Sequence, residues 1–95
     1  MKTLADVKRA MTVGTHWEGI NANGYSLGVR EIVDVASTKV GFLTKKGDKE
    51  VVSWCYFPKS KDVKFTGDWI EFWRLWYRPG SDELENLPVL KFRQV

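Results

Sequence analysis

One cysteine, Cys55, and one histidine, His16, are all this chain offers of the side chains most used for metal binding and nucleophilic catalysis. A lone cysteine excludes an internal disulfide and any cysteine-based zinc cluster. A Cys–His pair would also need an orienting group and an oxyanion site. Cys55 falls in a predicted strand, where a buried structural thiol is the expectation. His16 stands in a glycine-rich stretch and reads as a surface residue or a hydrogen-bond partner for strand ends. No apolar run approaches the roughly 20 residues of a membrane span. The start, MKTLADVKRAM, lacks the continuous apolar stretch of a secretion signal. There is no P-loop, dinucleotide fingerprint, HExxH or EF-hand pattern. Glu31 and Asp34 are separated by an odd number of positions, which puts them on opposite faces of a regular strand. The expectation is therefore a cytoplasmic non-enzyme with no catalytic residue, metal or cofactor.

What the chain has in quantity is indole. Five of its 95 residues are tryptophan, and four of these are Trp54, Trp69, Trp73 and Trp76. Each indole buries roughly 150–250 Å² and carries an N–H that needs a partner. A domain this small has one core, and it does not need that much indole inside. Trp54 is expected in the core, Trp17 stays open, and the other three carry the functional question.

The periodicities predict one compact domain over residues 1–95, with a short helix followed by five or six strands. Thr3 and Asp6 suit a helix start, and Leu4, Val7, Ala10 and Met11 form one apolar stripe over residues 3–11. A short strand carries Val13, Thr15 and Trp17, Asn23-Gly24 marks a turn, and a strand fits 29–36. The clearest signal is a hairpin over 39–57, with Val40 and Phe42 on one face and Lys45-Lys46-Gly47-Asp48 at its turn. Pro58 ends it, and PKSKDVKFTG reads as a loop or a single helical turn. Residues 68–77, DWIEFWRLWY, fit helical spacing at Trp69, Phe72, Trp73 and Trp76. Their aromatic density favours a strand, with Ile70 and Phe72 opposite Trp69, Glu71 and Trp73. SDELEN is then a loop or one turn, and PVLKFRQV the last strand. The fold class is α+β: a short N-terminal helix packed on a strongly curved antiparallel sheet or a small SH3-like β-barrel, closure being one way to remove exposed edges.

A net charge of +3 permits an acidic partner or nucleic acid. Trp69, Trp73, Arg74, Trp76 and Arg78 are the candidate protein-binding residues, because Trp and Arg anchor interfaces. Asp82, Glu83 and Glu85 follow them and give that end a mixed charge suited to a protein partner, a homodimer being the simplest case. The leading function is thus a protein-binding or regulatory module of the size of a mobile-element or phage accessory protein. The alternative is a nucleic-acid-binding module using Lys45, Lys46 and Lys49 at the hairpin turn and Lys59, Lys61 and Lys64 beyond the same strand, with exposed aromatics for stacking. A small hydrolase with carboxylate or histidine chemistry is the third alternative. It would require two acids, or His16 and an acid, to converge in a pocket.

Overall fold

Strand pairing accounts for most of the molecule. The computed structural model describes all 95 residues. It contains one helix, α1 (Leu4–Ala10), and seven strands: β1 (His16–Asn21), β2 (Ser26–Val35), β3 (Lys39–Lys46), β4 (Lys49–Tyr56), β5 (Val63–Thr66), β6 (Trp69–Tyr77) and β7 (Leu84–Gln94). A 3-10 turn at Ser60–Asp62 precedes β5. All pairings are antiparallel, in the order β4-β3-β2-β1-β7-β6-β5. No helix is long and apolar enough to cross a membrane.

The start of α1 follows its sequence cues. Thr3 Oγ1 accepts from the Asp6 N–H, and Asp6 accepts from the Thr3 N–H, so two orphan donors are satisfied reciprocally. A third bond, from the Lys2 N–H, chiefly holds the Asp6 carboxyl below its ordinary range. Seven residues are too few for an independent helix. Burial of Val7 and Met11 against the sheet holds it in place.

The sheet is curled but not closed. Neighbouring strands lie about 4.8 Å apart, so β3 and β7, three steps removed, would stand about 14 Å apart in a flat sheet. The Phe42 and Phe92 rings nevertheless stack with centroids 5.4 Å apart. Phe57, at the end of β4, reaches Phe72 of β6 at 6.2 Å across the same concave side. Irregular pairing at Gly19/Ile20, Ile32/Asp34 and Phe72/Trp73 supplies local twist. The core lies inside this curl: Trp17, Ile32, Val40, Phe42, Cys55, Ile70, Phe72 and Phe92 beneath α1. Of the two expected forms, an α+β antiparallel sheet with a short helix is present and SH3-like closure is not, because β4 and β5 remain edges and never pair.

Two expectations about the strands need correction. The segment after Pro58 is not only a loop: it supplies β5, which pairs Val63 with Phe72 and Thr66 with Trp69. The last strand begins at Leu84 rather than after the acidic segment, so the second half of SDELEN is strand. Residues 68–77 do form a strand with the predicted faces, Ile70 and Phe72 inward and Trp69, Glu71 and Trp73 outward.

Trp54 is the largest misplacement. It pairs with Gly41 on the convex face and is 39% exposed, while its neighbour Cys55 points into the core. Gly41 permits this arrangement, since a Cβ there would stand 2.5 Å from Val52 Cγ1 and 3.4 Å from the Trp54 ring. Val52 and Trp54 fold over the missing side chain, and Lys39 Nζ sits 4.5 Å from the Trp54 ring centroid.

Candidate functional site: a basic groove at the root of a hairpin arm

β6 outruns its neighbours. Its pairing with β5 stops at Phe72, and β1 pairs with β7 only as far as Leu90. Beyond that line Trp73–Tyr77 and Leu84–Pro88 pair only with each other, making a two-stranded arm. The skipped residue Val89 sets the bend at its root. At the tip the Arg78 guanidinium donates two bonds to the Glu85 carboxylate, at 2.7 and 3.1 Å, and closes the turn. That pairing lowers the Glu85 pKa and raises that of Arg78.

Large apolar side chains stand in solvent along this arm: Leu75 (64% exposed), Trp76 (52%), Tyr77 (51%) and Leu84 (57%). Opposed residues in a ladder share a face. The register therefore puts Leu75, Tyr77 and Leu84 on the same face as Trp73 and Pro88, and Arg74 and Trp76 on the other.

At the root, the connection from β4 to β5 passes beside β6 and leaves a groove of about 490 Å³. Phe57, Lys59, Lys61, Trp73, Arg74 and Leu75 are among its walls. Trp73 is held in place: its Nε1–H donates to Glu71 Oε1 at 3.0 Å, and Lys64 Nζ lies 3.9 Å from its ring centroid. Glu71 is itself buried and takes Lys91 Nζ at 3.5 Å. None of Lys59, Lys61, Lys64 and Arg74 forms a salt bridge, and Asp62 is the one carboxylate lining the groove. The root is thus basic, and the tip, with Asp82 and Glu83, is acidic.

The two candidate sets are redistributed rather than preserved. Trp73 and Arg74 join Lys59 and Lys61 around one groove, with Lys64 against the Trp73 ring. Trp76 lies on the other face, over a hollow lined by Asn21, Ala22, Asn23 and Leu90. Arg78 is engaged at the tip, and Trp69 lies at the far end of β6 with Arg93 over its ring at 4.6 Å. Lys45, Lys46 and Lys49 stay at the β3–β4 turn, separated from Lys59 by the length of β4, about 25 Å. The two lysine clusters therefore do not make one patch.

Of the other candidate chemistry, His16 and one acid, Glu31, do meet, in the lining of a hollow of about 460 Å³. His16 is exposed beside Glu31 at 3.9 Å, on the convex face, whereas Cys55 is buried on the concave one. Burial pushes the Cys55 thiol up to about 11, with the Arg74 and Arg30 guanidiniums pulling partly the other way. Arg30 packs over the Phe42 ring at 4.5 Å, and burial holds its pKa below the ordinary value. The irregularity at Ile32/Asp34 shifts Asp34 onto the face of Glu31, contrary to simple alternation. No three His, Cys, Asp or Glu side chains come together in a metal-binding group.

Leu75 and Leu84 escape a reading by alternation, which gives faces, not neighbours. The absence of a third strand beside residues 73–77 is a property of β1 and β5 ending early. Compared with protein-family models, curated proteins and solved structures, the chain has no significant match.

Proposed function

We propose that the chain is a non-enzymatic protein-binding or regulatory module whose β6–β7 arm is its docking element. The observation that carries this reading is the set of Leu75, Trp76, Tyr77 and Leu84, each more than half exposed on a ribbon without a third strand. Isolated two-stranded ribbons are marginal in water, and exposed apolar surface of this density marks interaction sites. Trp73 adds an indole already oriented by Glu71 and Lys64, which reduces the ordering cost of binding. The acidic tip suits a protein partner better than a polyphosphate backbone running along the arm.

The test pairs Leu75→Ser with Leu84→Ser in one variant. Self-association and capture from a lysate are measured beside the wild type. An association weakened about tenfold or more in the variant supports the reading. Equal association in both, or none in either, overturns it.

A second reading rests on the gathering of Lys59, Lys61 and Lys64 near Trp73, a cation–aromatic combination that suits single-stranded nucleic acid. Titration of labelled oligonucleotides at low and moderate salt decides it. Absence of saturable, salt-dependent binding removes this reading.

A further inference from the structure

The arm has one charge at each end and apolar surface between. Lys59, Lys61 and Arg74 line its root, and Asp82 and Glu83 occupy its tip. Between them, on one face, lie Leu75 and the paired Tyr77 and Leu84. Along the arm the order is basic, apolar, acidic, with Arg74 on the face opposite Leu75.

We infer that the occupant of this face is a second copy of the chain, packed arm against arm about a two-fold axis. The inference rests on the protein-binding reading above and names its partner. The Tyr77–Leu84 pair lies midway: Leu75, on the groove wall, is two residues before Tyr77, and Asp82 is two residues before Leu84. A dyad through that pair runs the two arms antiparallel. Each acidic tip then lies in the other copy's basic groove, and the two apolar stretches cover one another. A two-fold contact requires a self-complementary surface, with every junction made twice. A parallel overlay would instead set tip on tip and root on root, opposing like charges at both ends.

The acidic tip is available for this role. Arg78 is committed to Glu85, which leaves Asp82 and Glu83 with no cation within salt-bridge distance. The root cations are equally unengaged by carboxylates. Separation of unpaired opposite charges along one arm is what this arrangement satisfies, and it makes the contact salt-sensitive.

The experiment is a charge exchange followed by sedimentation equilibrium over a broad concentration range at low salt. One variant carries Lys59→Glu and Lys61→Glu, and the other Asp82→Lys and Glu83→Lys. All four positions are exposed, and thermal melts verify that both variants fold. Wild type is expected to approach twice the chain mass, and each variant alone to dissociate about tenfold more readily or worse. Mixing the variants is expected to restore the doubled mass, because both junctions of the heterodimer then pair opposite charges. A wild type that stays monomeric overturns the inference, as does a dimer indifferent to both exchanges or variants that do not recombine. A monomeric wild type that still captures another protein through Leu75 and Leu84 would leave the docking arm standing and remove only the second copy as its occupant.

Discussion

β6 lives in two environments. From Ile70 to Phe72 it is paired on both sides, and its inward residues Ile70 and Phe72 are buried beneath the curl. From Trp73 to Tyr77 it is paired on one side, and Leu75, Trp76 and Tyr77 stand in water. Both halves are rich in aromatic and aliphatic residues and keep the same alternation. The difference comes from where β5 and β1 stop. Burial in a sheet is conferred by neighbouring strands and the layer above, so one apolar pattern serves as core in one half and as surface in the other.

The strongest way to test that contrast is to truncate its buried half. Phe72 is fully buried, with Phe57 and Phe92 rings at 6.2 and 5.3 Å. Phe72→Ala is expected to cost about 3–5 kcal/mol, the lost transfer energy plus that of the cavity left behind. Urea unfolding followed by tryptophan fluorescence measures it. A loss below about 1 kcal/mol would mean that the core is not organised around this ring.

Cys55 gives the buried half a titratable marker. Its thiol is raised from 9.0 to about 11, chiefly by desolvation. The folded state therefore holds the proton more tightly than the unfolded chain. That stabilisation is complete below about pH 9 and is lost as pH rises toward 11, to a limit of about 3 kcal/mol. Stability measured across this window should fall more steeply in wild type than in Cys55→Ala. Parallel profiles for the two proteins would place the thiol in contact with water.

Much of the buried half was legible in the sequence. The capping pair Thr3 and Asp6, the turns at Asn23-Gly24 and Gly47-Asp48, and the inward Val40, Phe42, Ile70 and Phe72 all follow from local chemistry and a period of two. What escaped depends on relations between distant segments. Its large apolar indole predicts Trp54 in the core, yet its place is set by Gly41 on the facing strand. β5 was hidden because VKFT is too short to show a period. Asp34 changed faces through an irregularity that no residue type announces. The groove joins Lys59 and Lys61 to Trp73 and Arg74, which lie on different elements and in sequence point to different functions. The β5–β6 register brings them together, since Val63 opposite Phe72 sets the residues before β5 beside Trp73 and Arg74, and β5 is too short to announce itself.

The sharpest probe of the contrast has the smallest effect on stability. Leu75 lies three residues beyond Phe72 on the same strand and carries a similarly apolar side chain. Leu75→Ala, measured in dilute solution where the monomer dominates, is expected to shift unfolding stability by no more than about 0.5 kcal/mol. Little of its side chain leaves water when the monomer folds, so little transfer energy is lost on truncation. The same substitution should weaken association through the arm, because there the side chain is covered by a partner. The pair of measurements separates folding from docking within one strand: Phe72→Ala lowers the stability of the monomer, whereas Leu75→Ala lowers affinity alone. A stability loss at Leu75 approaching that at Phe72 would show that the arm folds back onto the monomer, leaving its apolar face with an intramolecular occupant and no role in docking.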